Sequence, residues 1–185
     1  MADALLLRPL PDGYHFRDYD PEQAWALHEI DKLGTRHLAE HGFASLAEEP
    51  MPTLAWYRDW LESRIVFVAA DGLNRPVGFS VAAELNETEG GVFYLHLLSV
   101  HPNHMRRGIG AALLDANISR ARWAYHPAMA LSTFRSVPFN APFYRRHGFH
   151  DVDLDRVDPV LKQRFLAEVP RDVLPSTRTL MMRRL

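Results

Sequence analysis

The segment at residues 100–114, VHPNHMRRGIGAALL, combines residue types that suit the binding of a phosphate-rich ligand. Gly108 and Gly110 lack a Cβ atom, so the main chain there can come close to a ligand. A helical pattern begins directly after them. The first N–H groups of a helix have no intrahelical acceptor and lie at its positive end. Arg106 and Arg107 add cationic donors. The segment therefore predicts an anion site, best suited to a pyrophosphate.

Other phosphate-binding motifs fit this segment less well. A dinucleotide-binding fingerprint needs a third glycine at the position of Leu113, and a Walker A loop needs a Gly-Lys-Ser/Thr sequence that is absent here. An ordinary turn between a strand and a helix can also carry glycines at this spacing. The interpretation as an anion site therefore depends on the surrounding elements and on a second motif.

The elements that must position this loop are visible in the hydrophobic pattern. Three apolar, β-branched runs predict an antiparallel meander that leads into the loop, at residues 64–70, 76–85 and 92–100. After the loop, the pattern predicts a helix at 111–124, a strand at 129–134, a helix at 138–147, an extended segment at 149–154, a helix at 159–169 and a strand at 177–184.

The part of the chain before the meander has a weaker pattern. It predicts short strands at 5–8 and 14–19, a helix at 21–33 that ends at Gly34, and a helix at 53–62. Together these elements predict an α+β fold with a mixed, largely antiparallel sheet, and not a doubly wound fold. The length of 185 residues, 47% of them hydrophobic, fits a single domain over residues 1–185.

Composition excludes several classes of partner. Lys and Arg number 21 against 23 Asp and Glu, and this balance lacks the basic excess of a nucleic-acid-binding protein. The chain has no cysteine, which favours a cytoplasmic protein without a thiol nucleophile. The N-terminal segment is a poor signal peptide, and no apolar run approaches the roughly 20 residues that span a bilayer. His101 and His104 flank a loop without further ligands, so we expect no metal site.

A second motif changes the interpretation of the loop. The sequence from Asn140 to Phe149, NAPFYRRHGF, resembles the N-x-x-F-Y-x-x-x-G-F block of the GNAT (GCN5-related N-acetyltransferase) superfamily. The loop itself resembles motif A of that superfamily, with Met105 where Gln or Arg is usual. Both blocks occur in the family's order, and the resemblance covers residues 64–154.

The resemblance implies a fold, a cosubstrate and a set of binding residues. The fold is a largely antiparallel sheet of about seven strands flanked by helices, and the cosubstrate is acetyl-CoA, with no metal. Backbone groups near Leu98, Ser99 and Val100 would pair with the pantetheine arm and polarise the thioester. Asn140 and Phe143 would also contact the coenzyme. The pyrophosphate would bind the N–H groups of Arg106, Arg107, Gly108, Ile109, Gly110 and Ala111.

The resemblance also assigns catalytic roles. Tyr144 occupies the general-acid position, although without the resemblance a core aromatic residue would be expected there. The glutamate that many relatives carry is replaced by Leu97. Its neighbour His96 matches a histidine of arylalkylamine N-acetyltransferases, whose second histidine would fall at Tyr94. An imidazole titrates at about pH 6.5 and can accept the proton of an amine through water. Glu84 is a reserve candidate for the base.

The identity of the acceptor is the least determined part. Aromatic residues that could line its pocket, or belong to the core, are Trp25, His28, Trp56, Tyr57 and Phe134. No acidic cluster suits a polyamine, so we expect a small primary amine that attacks directly in a ternary complex. A protein or peptide acceptor, or a CoA-binding sensor without strong catalysis, stays open. A sheet edge at residues 177–184 would allow a homodimer.

Overall fold

The computed structural model describes residues 8–88 and 90–185, with the side chain of Ala47 excepted. Seven strands form one sheet: β1 (Tyr14–Arg17), β2 (Ile65–Asp71), β3 (Pro76–Leu85), β4 (Val92–Val100), β5 (Ala128–Phe134), β6 (His150–Asp151) and β7 (Arg178–Arg184). Their spatial order is β1-β2-β3-β4-β5-β7-β6. Only β4 and β5 run parallel, and the other neighbours are antiparallel. The predicted meander and the mixed sheet are therefore confirmed.

Helices cover both faces of the sheet. They are α1 (Ala24–Ala39), α2 (Leu54–Glu62), α3 (Ile109–Trp123), α4 (Ala141–Arg146) and α5 (Pro159–Ala167). The helices α3 and α4 pack on one face, whereas α1, α2 and α5 pack on the other. Side-chain caps fix two of the helix starts: Thr53 accepts the Trp56 N–H at 3.3 Å, and Asp158 accepts the Val160 N–H at 2.8 Å. In the described part of the chain, no helix is long and apolar enough to cross a membrane.

Several predicted boundaries differ from the structure. The first helix does not end at Gly34 but continues to Ala39, because α1 packs closely on β4 at this point. A Cβ atom at Gly34 would stand 2.8 Å from the Ser99 Oγ, so this glycine serves helix–sheet contact instead of helix termination. The predicted helix at 138–147 shortens to α4, and the extended segment at 149–154 pairs only as β6. The predicted strand at 5–8 lies outside the described residues except for Arg8.

The outer side of the last strand is covered only in part. Over its whole length β7 pairs with β5, and β6 covers its other side at Met181 and Met182. The expectation of an open edge at residues 177–184 is therefore wrong at those two positions. A homodimer formed through this strand stays a prediction.

A β-bulge in β4 sets the direction of two side chains. Val81 lies opposite Leu97 and Ala82 lies opposite Leu95, which leaves His96 as an extra residue in β4. A bulge interrupts the strict alternation of side chains along a strand. As a result, His96 and Leu97 both face the side of the sheet that α1, α2 and α5 cover.

A gap in the sheet opens directly after the bulge begins. The parallel pairing of β4 with β5 extends over only three residue pairs, the last of which joins Leu95 to Leu131. β4 continues to Val100 and β5 to Phe134, but beyond Leu95 and Leu131 the two strands no longer pair with each other. Backbone groups of both strands are therefore available for a ligand in the gap.

Candidate active site

The loop between β4 and α3 exposes a row of main-chain donors. The N–H groups of residues 106–111 have no hydrogen-bond acceptor within the described residues, and the first bonded amide is that of Ala112, which donates to the Gly108 oxygen at 3.0 Å. Arg106 and Gly108 adopt positive φ angles of 60° and 88°. Such angles turn consecutive amides inward around one point, at the positive end of the helix dipole. The loop therefore has the geometry of an anion site.

Gly110 brings the two sequence motifs together. A Cβ atom built there would lie 3.6 Å from Leu98 and 4.0 Å from Phe143, which are ordinary contact distances. The protein itself thus leaves room for an alanine at this position. We infer that the absence of a side chain at Gly110 serves the approach of a ligand, since packing does not require it.

The two arginines of the loop have different surroundings. Arg107 donates to the Tyr14 hydroxyl at 3.0 Å and to the Asn103 oxygen at 3.3 Å. The same hydroxyl pairs with the His104 Nδ1 at 2.9 Å, so Arg107 braces the loop against β1. The side chain of Arg106 is exposed and makes no hydrogen bond or ion pair with the described residues. Of the two, Arg106 is the one free to reach a phosphate.

The hydrogen-bonding direction of β4 alternates along the gap. His101 donates its N–H to the Val77 oxygen at 2.8 Å, across to β3. Alternate residues of a strand point their N–H groups to opposite edges, so Ser99 also faces β3 while Leu98 and Val100 face the gap. The Ser99 hydroxyl donates to the main-chain oxygen of Ile30 in α1 at 3.4 Å.

Tyr144 lies on the α3 side of the sheet, close to the point where the gap begins. It is buried and packs in one cluster with Leu95 and Leu131, the last paired residues of β4 and β5. Burial raises the pKa of its hydroxyl above the ordinary value, so the group stays protonated at neutral pH. The side chain of Asn140, directly before α4, makes no capping bond and is free for a ligand.

His96 lies on the opposite side of the sheet and is held by a carboxylate. Its Nδ1 stands 2.9 Å from Oε1 of Glu168, and the Tyr94 hydroxyl donates to Oε2 of the same residue at 2.7 Å. The carboxylate only accepts, so in the neutral imidazole Nδ1 carries the hydrogen and Nε2 has the lone pair. The imidazole is only 7% exposed. The contact with Glu168 therefore fixes the orientation of the ring.

Glu84, the reserve candidate, does not reach the gap. Its carboxylate pairs with Arg120 of α3 at 3.0 Å, and His126 lies 3.7 Å from its other oxygen. Glu84 stands opposite Phe93, at the end of β4 where β4 and β5 are still paired. Its carboxylate therefore has a structural ion pair at a distance from the proposed chemistry.

A pocket of about 230 Å³ lies on the α1 side of the sheet, beside Phe134 at the end of β5. It is lined by Thr35, Leu38, Leu46, Glu49, Pro50, Met51, Pro52, Phe134, Pro170 and Arg178. A larger depression of about 490 Å³ lies beside the start of β4 and α5. It does not adjoin the gap or the exposed amides, and we do not place the reaction there.

The aromatic residues expected around the acceptor separate into three groups. Phe134 lines the smaller pocket, whereas Trp25 and Trp56 are more than half exposed on the outer surface. His28 packs edge-on against Tyr57 at 4.9 Å. The Tyr57 hydroxyl donates to Asp31 at 3.1 Å, and burial raises the pKa of the Asp31 carboxyl to about 6.

Two residues of this site were not found from the sequence. Glu168 lies 72 residues along the chain from its partner His96. Arg178 lies 46 residues from its partner Ser132. No local pattern marks either one. Only the position of the α5 helix end over the bulge reveals Glu168.

Comparison with known proteins agrees with this geometry. The seven-stranded sheet opens beside a helix start whose amides are unbonded among the described residues, an arrangement that suits a phosphate-bearing cosubstrate. A family model described as an acetyltransferase (GNAT) domain matches residues 62–151. The chain contains a GNAT acetyltransferase domain, and the predicted resemblance, the fold and the acetyltransferase class of this domain are confirmed.

One curated relative is similar to this chain in sequence, and solved structures below 25% identity are similar to it in fold. The mycothiol acetyltransferase of Propionibacterium freudenreichii subsp. shermanii is 33% identical over 152 residues, which are 79% of this chain and 46% of that protein. The chain thus spans less than half the length of this curated relative. A GCN5-related N-acetyltransferase from Rhodopseudomonas palustris has a TM-score of 0.65 at 18% identity, covering 96% of this chain and 99% of its own. The PaiA N-acetyltransferase of Thermoplasma acidophilum, solved with coenzyme A, has a TM-score of 0.61 at 14% identity, covering 93% and 99%.

Proposed function

We propose that this chain, as a single domain, transfers the acetyl group of acetyl-CoA to the primary amine of a small molecule. One observation carries the proposal: exposed amides at residues 106–111 lie on one side of a gap in the sheet, and the His96–Glu168 pair lies on the other. A thioester that enters the gap from the α3 side reaches a base on the opposite face. This geometry suits direct attack in a ternary complex.

Each group has a defined task in the proposed reaction. The diphosphate binds the amides of the loop, and the pantetheine arm pairs with the edges of Leu98 and Val100, whose N–H groups polarise the thioester carbonyl. Asn140 and Phe143 contact the arm from α4. The Ser99 amide is directed to β3, so its contribution is to position the strand.

The chemistry then balances through two proton transfers. The amine nitrogen attacks the carbonyl carbon, the C–S bond breaks, and the thiolate takes a proton from the Tyr144 hydroxyl. The proton released by the amine passes through water to Nε2 of His96, and Glu168 stabilises the imidazolium that forms. Solvent returns both groups to their starting states.

The size of the pocket favours a small acceptor. A pocket of about 230 Å³ with mostly apolar walls suits a molecule of modest size better than an extended peptide. The 33% identical relative is named for mycothiol, a small molecule. The absence of a glutamate at Leu97 would favour a sensor without catalysis, but Glu168 supplies a carboxylate beside the bulge.

The proposal is tested with purified protein, acetyl-CoA and a panel of small amines and short peptides, with release of the CoA thiol followed. We expect turnover with small amines, and a fall of about two to four orders of magnitude in kcat for Tyr144→Phe with unchanged CoA affinity. His96→Asn keeps a donor to Glu168 but removes the base, and the same loss is expected. Calorimetry that detects no CoA binding would overturn the proposal.

A further inference from the structure

A buried arginine lines the acceptor pocket. Arg178, the first residue of β7, is only 9% exposed. Its Nε and Nη2 atoms both donate to the Ser132 Oγ, at 3.2 Å and 2.7 Å. Its Cζ atom lies over the Phe134 ring, 4.8 Å from the ring centroid. These contacts fix the orientation of the side chain but leave other N–H groups unused, because a guanidinium carries five.

The charge of Arg178 has no paired carboxylate. Within the described residues, no Asp or Glu oxygen lies within 4.0 Å of it. Glu168 is near enough to act on it electrostatically, but both oxygens of that carboxylate already accept from Tyr94 and His96. Burial lowers the pKa of the guanidinium, and an unpaired buried cation is costly for a protein to keep.

The neighbours of Arg178 indicate how far its guanidinium lies from His96, the proposed base. Its anchor Ser132 follows Leu131, the last residue of β5 that pairs with β4, and His96 follows the partner residue Leu95. Glu168 contacts the imidazole at 2.9 Å and acts electrostatically on the guanidinium, so we estimate that the guanidinium and the imidazole are on the order of 5–10 Å apart. A short molecule can therefore contact both groups at once.

We propose that Arg178 binds a carboxylate of the acceptor, so that the preferred substrates are amines with a carboxylate a few bonds from the nitrogen, such as amino acids. This inference rests on the proposed function and specifies its substrate class. A guanidinium and a carboxylate form paired, parallel hydrogen bonds, which fix both position and orientation. The Phe134 ring and the Ser132 hydroxyl hold the guanidinium ready for that contact.

The test compares acceptors that differ only in charge. Amino acids and ω-amino acids are compared with their primary amides in the acetylation assay, at equal concentrations of neutral amine. The wild-type protein should prefer the carboxylates by about 10- to 100-fold in kcat/KM, the range expected for a charge-assisted hydrogen-bond pair. Arg178→Gln should remove that preference, and Arg178→Lys should restore part of it. Arg184→Gln, at the exposed end of the same strand, is the matched control and should keep the preference.

A second measurement separates recognition from folding. An N-acetyl amino acid, which is the product, should raise the midpoint of thermal unfolding of the wild type but not that of Arg178→Gln. Equal kcat/KM for carboxylates and amides, with CoA bound and amines acetylated, would overturn this inference and leave the proposed function standing. A preference that survives in Arg178→Gln would also overturn it. Failure to bind CoA would instead remove the proposed function.

Discussion

The contact between Glu168 and His96 provides a direct test of the proposed base. Glu168→Gln keeps the shape of the side chain but removes its charge. In the carboxylate, the Tyr94 hydroxyl and the His96 Nδ1 contact different oxygens; the amide replaces one of these oxygens with an NH2 group, which donates and cannot accept in its place. The imidazolium that forms when His96 takes a proton would then lose its negative partner.

The size of the effect follows from the geometry. A hydrogen bond to a charged group contributes about 1.5–3 kcal/mol, and at 2.9 Å with a 7% exposed imidazole this contact has little competition from water. Because about 1.4 kcal/mol corresponds to a factor of ten in rate, kcat should fall by about 10- to 100-fold. Tyr94→Phe leaves the carboxylate in place and should lower kcat by less than about tenfold.

The assay measures kcat, KM and CoA affinity for the single variants and for the double variant His96→Asn/Glu168→Gln. If Glu168 acts through His96, the second change has almost no further effect on kcat once His96 is replaced. CoA affinity should stay constant throughout. Asp155→Asn, which removes an exposed carboxylate paired with Lys162, is the control and should not change kcat. A full additional loss from Glu168→Gln in the His96→Asn background would refute the reasoning.

Three further predictions concern other parts of the fold. Gly110→Ala should weaken CoA binding at least tenfold without lowering the unfolding temperature. The control Gly72→Ala, in the β2–β3 turn, should change neither quantity. If Gly110→Ala bound CoA as tightly as the wild type, our interpretation of the loop would be contradicted. Gly34→Ala should lower the free energy of unfolding by about 1–3 kcal/mol in denaturant titrations, and Ser99→Ala should recover most of it, since the Ser99 Oγ is the 2.8 Å contact. Burial raises the pKa of Asp31 to about 6, so the folded state favours the protonated carboxyl over the charged one. The contribution of Asp31 to the free energy of unfolding is therefore complete below about pH 4 and is lost as the pH rises through 6. Relative to Asp31→Asn, the wild type should lose about 2 kcal/mol between pH 4 and pH 7, allowing for partial exposure, and parallel pH curves would exclude this.

The loop and helix start proposed to bind the coenzyme could be predicted from the sequence because their signals are local. A glycine at positive φ and a helix that starts directly after it are encoded within a few residues, as Gly108 illustrates. The acceptor half could not be predicted in this way. The run LHLLSV has no glycine or other local signal of a bulge, so nothing in it shows that His96 is the extra residue. Glu168 and Arg178 reach the site through tertiary packing, on which single-sequence patterns carry no information.

In the proposed reaction, because the sheet opens after only three parallel pairs, the coenzyme and the acceptor would approach the reacting carbon from opposite faces and share only the edge of the gap. Either product would then leave independently of the other. Substitutions in the pocket walls beneath α1 and α5 would therefore change which amines are acetylated without changing the affinity for CoA. With the two binding regions on opposite faces of the sheet, the acceptor specificity could change while the coenzyme-binding region stays the same.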